Sequence, residues 1–448
     1  MTKKIFQKKK SAGVTMVEAL ISIALVSVLT LSVYSVLSSA VKNIGDSKQR
    51  TGALALANEK MEIFRNLPYS EIGVVNGIVS GPVEAEEMVN RNGFSYRVIC
   101  EVRYIDDAFD GFFPEDIIDT DYKRANVQVR WSNGGTEKQI TLYNNFVPDG
   151  LETNVGGGTL SINTIDYSGQ AVAGVNVQIA SVEDTPEVNY SSTTDSYGNL
   201  ILPGVPSQNY RIVLSKEGYE TISTYPNPPA SAFVPIDPDI FVEVATLNTK
   251  TFYLNPSGNL TFSTVRMEDD SSIPGFKLAI RGGRVIGNTP ETFVVNETVD
   301  LGSDGRITFS PASLGNYWVD NAEELENEGY LYVGTSENYP IILSAGQTKN
   351  VSLLFADKNI DSLVVFVSDS GFNYRLEGAE IHLTGEGFDQ TIATTQNGSA
   401  YFPLVTDPLT TMLPGNYHLE ITLDGYITYS ENISIDKLTV KNIQLNAN

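Results

Sequence analysis

Residues 8–29 read KKKSAGVTMVEALISIALVSVL, and this stretch decides how the fold begins. A basic segment whose last lysine is Lys10 extends to Gly13, and an uncharged run follows from Val14 to Val41, broken only by Glu18. A helix over this run is about 42 Å long, which is enough to cross a bilayer. Because the lysines would stay on the cytoplasmic side, the rest of the chain is predicted to lie outside the membrane.

Three interpretations of this apolar run compete. A cleaved secretory signal is the first, with Ser38 and Ala40 as a small-x-small cleavage site. The run is far longer than the usual apolar part of such a signal, and it contains a carboxylate. A plain membrane anchor is the second, and it leaves Glu18 unexplained because a carboxylate in hydrocarbon is costly.

The third interpretation follows from the spacing of Gly13, Val14 and Glu18. The segment resembles the class III signal of type IV prepilins and pseudopilins, in which a basic leader ends in Gly and Glu is the fifth mature residue. The resemblance implies cleavage after Gly13 by a prepilin peptidase and N-methylation of Val14, a position where Phe is commoner. It also implies that Glu18 pairs with the N-terminal amine of a neighbouring pilin subunit, which neutralises two costly charges.

The helix is predicted to continue beyond the membrane. Pro68 ends it, because proline cannot continue the hydrogen-bond ladder. In its second half, apolar residues recur at helical spacing and predict one packing face, formed by Leu54, Ala57, Met61 and Phe64. We therefore expect one helix over residues 14–67, apolar first and amphipathic second.

Residues 68–155 predict a small antiparallel sheet packed on the amphipathic half of the helix. Apolar residues alternate with polar ones in three stretches, and a turn is expected at Asn133-Gly134-Gly135. The segment is similar to the C-terminal sheet of minor pilins and pseudopilins. Cys100 alternates with apolar neighbours, and we predict that its thiol is buried in the core.

An acidic segment separates two of these strands and contains seven carboxylates near Gly111. Clustered oxygen donors can hold a hard cation such as Ca²⁺, although the spacing does not match an EF-hand. The alternative is a solvated acidic loop. If a cation binds, the expected ligands are Asp106, Asp107, Asp110 and Asp121.

Three related units follow the glycine-rich joint at residues 156–158. Each unit repeats a glycine turn, an Asn-Tyr pair and a Gly-Tyr pair among short alternating strands, a pattern typical of β-sandwiches. The units resemble carboxypeptidase regulatory-like and Cna B-type modules, which have an Ig-like or prealbumin-like fold. Their first strands contain no lysine, so we predict no Lys–Asn crosslink. A proline-rich insert, residues 225–239, is expected to be a stiff surface loop on the first unit.

The predicted fold class is therefore an α+β pilin domain followed by all-β Ig-like or prealbumin-like sandwich modules. The pilin domain combines a long N-terminal transmembrane helix with an antiparallel sheet. The expected divisions are a leader (1–13), the helix (14–67), the sheet region (68–155) and three Ig-like modules (156–256, 257–357 and 358–448).

Composition restricts the possible functions. The chain of 448 residues has 30 basic and 54 acidic residues, a formal charge of −24. This balance disfavours nucleic acid as a partner, because phosphate binding requires clustered Lys and Arg. One cysteine and two histidines leave little for acid–base or metal chemistry, so we predict that the protein is not an enzyme and has no cofactor apart from the Ca²⁺ considered above.

The resemblance to prepilins implies a minor pilin or pseudopilin that enters a type IV pilus or related filament and displays its modules for adhesion or partner binding. The expected partners are a prepilin peptidase, other pilin subunits, the membrane, and an extracellular ligand or surface of unknown identity. The expected location is the cytoplasmic membrane as a single-pass protein, and then the filament or cell surface. The alternative is a membrane-tethered surface protein that binds carbohydrate or protein and enters no filament.

Overall fold

A computed structural model describes residues 15–107, 120–133, 135–148, 157–183, 186–321, 329–404 and 411–448. Its first element is α1, Met16–Asn66, a helix of 51 residues. Thr15 caps the N-terminus, because its Oγ1 accepts a hydrogen bond of 3.3 Å from the backbone N–H of Glu18. Leu67 is extended and precedes Pro68, so the helix ends where the proline predicts.

A four-stranded antiparallel sheet follows the helix, in the order β1-β2-β3-β4. Its first strand was not predicted, although Asn92-Gly93 is a strong hairpin signal. Both residues have positive φ, 53° and 82°, as a two-residue hairpin turn requires. The strands are β1 (Glu86–Arg91), β2 (Phe94–Ile105), β3 (Tyr122–Asn133) and β4 (Thr136–Phe146).

The second half of α1 packs one face on this sheet. The predicted face is corrected at Leu54, which is 42 % exposed, whereas its neighbour Ala53 is fully buried. Successive helical residues lie about 100° apart around the axis, so when Ala53 faces the sheet Leu54 points away from it. The buried apolar residues of the face are Ala53, Leu56, Ala57, Met61 and Phe64.

Gly52 allows the closest approach between helix and sheet. A Cβ at this position would lie 2.6 Å from the hydroxyl of Tyr96. That hydroxyl donates a hydrogen bond of 3.0 Å to the backbone oxygen of Gln49. Cys100 lies in the same core, as predicted, and burial raises the pKa of its thiol to about 11. The thiol is therefore protonated and unreactive at neutral pH.

Lys123 is an unexpected buried cation beneath the end of the helix. Its side chain is almost fully buried, and its Nζ donates to the backbone oxygens of Tyr69 (2.8 Å) and Ile72 (2.9 Å). These two bonds hold the segment that follows Pro68 against β3. Desolvation lowers the pKa of Lys123 to about 8.

We expect Lys123 to make stability depend on pH. Between pH 8 and 10.5 Lys123 has lost a proton in the folded chain that it still holds in the unfolded chain, so it should contribute a rise of up to about 3 kcal/mol to the free energy of unfolding. Lys123→Met should remove this rise, whereas the control Lys277→Met, at an exposed lysine, should keep it. Denaturation of the full chain in detergent, followed by Trp131 fluorescence in a Trp318→Phe background, measures the difference. Parallel pH profiles for the parent and Lys123→Met would contradict the assignment.

The remainder of the described chain forms three two-sheet units, which we call the first, second and third sandwiches. The first has sheets β12-β5-β8 and β10-β9-β6-β7, with β11 also paired to β9. Its strands are β5 (Gly158–Ile165), β6 (Asn176–Ser181), β7 (Asn189–Thr193), β8 (Asn199–Val205), β9 (Asn209–Ser215), β10 (Ile222–Ser223), β11 (Ile240–Phe241) and β12 (Leu247–Tyr253).

The second sandwich has sheets β16-β13-β20-β18 and β15-β14-β17-β19. Its strands are β13 (Gly258–Arg266), β14 (Lys277–Asn288), β15 (Glu291–Asp300), β16 (Arg306–Ala312), β17 (Gly315–Val319), β18 (Tyr330–Thr335), β19 (Ile341–Leu343) and β20 (Thr348–Asp357).

The third sandwich has sheets β24-β21-β27 and β23-β22-β25-β26. Its strands are β21 (Ser362–Asp369), β22 (Glu380–Gly385), β23 (Phe388–Ala393), β24 (Ser399–Phe402), β25 (Gly415–Thr422), β26 (Tyr429–Ile435) and β27 (Leu438–Leu445). All three sandwiches share one topological feature. The first strand of each pairs in parallel with the last, as β5 with β12, β13 with β20 and β21 with β27.

The tyrosine of each Asn-Tyr pair fills the sandwich core. Tyr210, Tyr317 and Tyr417 are buried, and each hydroxyl donates to the backbone oxygen of the residue four positions earlier. The three distances are 2.9, 2.6 and 2.7 Å. This arrangement matches the tyrosine corner of immunoglobulin-type sandwiches, where one ring fills the core and its hydroxyl fixes the adjoining loop.

A glutamate accepts a hydroxyl hydrogen bond at every junction between successive units. We call these three residues the junction glutamates. Glu220 accepts from Ser313 Oγ at 2.9 Å and also from the backbone N–H of Leu314 at 3.1 Å. The other two pairs are Glu101 with Tyr190 (2.5 Å) and Glu268 with Tyr401 (3.0 Å).

The proline-rich insert of the first sandwich lies against the second sandwich, which the sequence did not predict. Val234 and Ile236 donate backbone hydrogen bonds to Thr289 (3.1 Å) and Ile286 (2.9 Å). Gly287 leaves room for the ring of Phe233, from which a Cβ would lie only 2.3 Å away. The insert therefore links two units instead of projecting freely from one.

Candidate functional site

The candidate site is the surface of α1 that extends beyond the sheet. Its apolar side chains are exposed throughout the first half of the helix, many by more than 60 %. In the described part of the chain, α1 is the helix that is long and apolar enough to cross a membrane. A continuous exposed apolar surface along half of a long helix marks a surface that lipid or another protein covers.

Glu18 is the acidic group in this surface. It lies in the first turn of α1, where a negative charge is favoured by the helix dipole. Its side chain is exposed and forms no ion pair with any residue that the structure describes. Gly13 and Val14, the predicted cleavage and methylation residues, lie outside the described residues. The roles assigned to Gly13, Val14 and Glu18 stay predictions.

Four hydroxyl groups of the first half are satisfied within the helix. Ser22, Ser27, Thr30 and Ser32 each donate to the carbonyl oxygen four residues earlier, at 2.7 to 2.8 Å. A hydroxyl bonded in this way presents little polar surface to a neighbouring helix or to lipid. These four hydroxyls therefore add little polarity to the apolar surface that follows Glu18 along the helix.

Ion pairs fix the other half of α1 to the sheet. Lys60 contacts Glu87 at 2.6 Å across the interface, and both side chains are at least two-thirds buried. Two more pairs, Arg91 with Glu59 and Lys138 with Asp46, lie at 2.6 and 3.0 Å. The sheet thus holds the second half of the helix while the first half remains uncovered.

The predicted calcium ligands are only partly described. Asp110 lies outside the described residues. The backbone N–H of Asp107 donates to Asp121 Oδ2 at 2.5 Å, which brings the two ends of the acidic segment together. Within the described ranges, no three His, Cys, Asp or Glu side chains are grouped as a metal site. Calcium binding by Asp106, Asp107, Asp110 and Asp121 stays a prediction.

Comparison with known families identifies one motif. The prokaryotic N-terminal methylation motif matches residues 8–34, which contain Gly13, Val14 and Glu18. This match confirms the predicted resemblance of the N-terminal segment to the signal segments of prepilins. No curated protein matches the sequence.

Solved structures with similar features include the TIE protein of Bacillus anthracis, at 13 % identity and a TM-score of 0.20, over 81 % of this chain and 73 % of that one. A streptococcal ancillary pilin is 13 % identical with a TM-score of 0.20, over 65 % and 99 %. A minor pilin of Streptococcus agalactiae is 13 % identical with a TM-score of 0.23, over 45 % and 96 %. Sequence identities and TM-scores this low say nothing about the function of this chain.

The motif and the observed architecture agree with each other. The motif covers residues 8–34, which include the start of α1, and the structure places an antiparallel sheet and three β-sandwiches after the helix. The chain therefore carries the N-terminal methylation motif at the start of a long helix, followed by a four-stranded antiparallel sheet and three Ig-like β modules.

Proposed function

We propose that the protein is a minor pilin or pseudopilin-like subunit that is built into a type IV pilus or related filament through α1. The division of α1 into two halves is the observation that supports this proposal. One half is apolar and uncovered, and the other is fixed to a folded domain. Packing of the uncovered halves against one another would bury their apolar surface and leave the folded domains outside.

Glu18 has a specific role in the proposed assembly. After cleavage behind Gly13, the new amine at Val14 would lie four residues before the carboxylate of Glu18 in the chain. Two unpaired charges in an apolar bundle are each costly, and pairing between adjacent subunits removes much of that cost. The pair would therefore fix how far one subunit is displaced along the next.

The sandwiches are proposed to be the part that contacts a surface or partner. The hydrogen bonds of the junction glutamates and the docked insert support a stiff extension, because they restrain each unit against the next. We infer adhesion or partner binding by this extension, with a structural and not a catalytic role. We also propose that the chain passes from the cytoplasmic membrane, after prepilin peptidase cleavage, to the filament or cell surface.

Mass spectrometry of the mature N-terminus from native cells tests the processing step. The expected result is a chain that begins at N-methylated Val14. Mutation of Gly13 should leave the leader attached, whereas mutation of Gly45, which lies in the helix with open space around it, should not. A native chain that begins at Met1, or near Val41, would overturn the pilin interpretation.

Co-purification separates filament assembly from a simple tether. Filaments sheared from native cells should contain this protein together with other pilins. A correctly processed chain that stays in the membrane fraction and never accompanies pilins would instead support a surface-tethered binding protein.

A further inference from the structure

A cleft of about 610 Å³ lies between the second and third sandwiches. Its volume falls within the usual range for small-ligand sites. The second sandwich contributes β18 and the segments around Asp320 and Tyr339, and the third contributes Phe366, Arg375 and residues 396–397. Neither sandwich forms the cleft alone.

Contacts between the two sandwiches hold the walls of the cleft in place. Val333, Ala356, Val364 and Tyr401 form a buried apolar cluster between them. Asn397 Nδ2 donates to the backbone oxygen of Thr335 at 2.8 Å, across the same boundary. A ligand would therefore meet a site that is largely formed before it binds, which lowers the entropic cost of binding.

The lining combines aromatic rings with planar polar groups. Tyr332, Tyr339 and Phe366 supply apolar ring faces, and Gln396 and Asn397 supply amides. Aromatic rings suit the C–H faces of sugar rings, and amide or guanidinium groups suit their paired hydroxyls. The lining chemistry therefore favours a saccharide.

A peptide strand is less compatible with this cleft. The strand β18 lies at the edge of its sheet, where added strands usually pair. The side chain of Asn397 already occupies the Thr335 carbonyl on that strand. The register of β18 also shifts between Tyr332 and Gly334, which disrupts a regular ladder.

Two guanidinium groups lie at the cleft, and they differ in whether a described carboxylate pairs with them. Arg281 is paired with Asp320 by two bonds of 2.9 and 3.0 Å, so the acidic group of the lining is neutralised. Arg375 lies 4.7 Å over the ring of Phe366 and forms no ion pair with a described carboxylate. Stacking leaves the N–H edge of its guanidinium available for a bidentate bond to a carboxylate.

We propose that this cleft binds an acidic oligosaccharide, with a uronic acid carboxylate on Arg375 and a sugar ring against Tyr339. The inference rests on the proposed extracellular display of the sandwiches and names the ligand class that the display would reach. It does not depend on whether the chain enters a filament.

Calorimetry on the full chain in detergent micelles tests this inference with two matched probes. The probes are tetragalacturonic acid and the same tetrasaccharide with its carboxylates reduced to alcohols. We expect the acidic probe to bind at least tenfold more tightly. Arg375→Met keeps an unbranched apolar stem over Phe366. It should weaken binding of the acidic probe at least tenfold and abolish the preference for the acidic probe over the reduced one. The control Arg306→Met removes an exposed arginine outside the cleft and should change neither affinity.

Two results would overturn the inference. One is the absence of binding by either probe at millimolar concentration, and the other is equal binding of both probes by the parent protein. An Arg375→Met chain with unchanged thermal stability and unchanged affinity would also reject the role of Arg375. N-terminal processing is measured separately, so failure here is distinguishable from failure of the proposed function.

Discussion

Replacing Glu18 with alanine is expected to lower the amount of this protein in sheared filaments at least tenfold. In the proposed assembly, the change would leave the methylated amine of a neighbouring subunit without a partner inside an apolar bundle. An unpaired buried charge typically costs several kcal/mol, and tenfold corresponds to about 1.4 kcal/mol. Quantitative immunoblotting of the filament and membrane fractions gives the ratio.

The design separates assembly from processing and folding. Glu18→Ala should still be cleaved after Gly13, which mass spectrometry can establish in the membrane fraction. Glu62→Ala is the matched control, because Glu62 is an exposed carboxylate in the same helix, on the half that the sheet holds. Equal incorporation of Glu18→Ala and the parent would reject the charge-pairing role.

Replacing Tyr317 with alanine is expected to destabilise the second sandwich by about 3–5 kcal/mol. The ring is fully buried, and its removal combines a lost transfer energy with a cavity. Tyr317→Phe should cost only about 1–2 kcal/mol, because it removes just the bond to the Ser313 oxygen. Fluorescence of the adjacent Trp318 during denaturation, in a Trp131→Phe background, reports on this unit.

An exposed tyrosine supplies the comparison for this series. Tyr253→Ala removes a side chain that is 62 % exposed and should change stability by less than about 0.5 kcal/mol. A cost below about 1 kcal/mol for Tyr317→Ala would show that the tyrosine does not hold the core. Equal costs for Tyr317→Phe and Tyr317→Ala would instead assign the whole effect to the hydroxyl.

The sequence predicts most of the fold because its elements depend on local periodicity. The long helix follows from one apolar run and Pro68, and the sandwiches follow from alternation, turn glycines and repetition. Leu54 was placed on the wrong side because spacing alone does not distinguish between two overlapping helical faces. Contact with the sheet selects the face that contains Ala53.

The contacts between units could not be predicted in the same way. Glu101, Glu220 and Glu268 look like ordinary surface carboxylates, since no repeat or spacing distinguishes them from the other acidic residues. The insert that contains Phe233 reads as a loop, and its role depends on Gly287 in a different unit. Such pairings depend on distances across the folded chain, which local patterns do not contain.

The parallel pairing of first and last strands determines how a sandwich responds to tension. In the first sandwich, residues 159–165 run beside 247–253 in the same direction, so the chain enters at one end and leaves at the other. A pulling force between the two ends therefore acts along the strands and shears their hydrogen bonds together. Antiparallel neighbours pulled from one end would separate one bond at a time. Each sandwich is thus connected so that tension loads its first and last strands in shear.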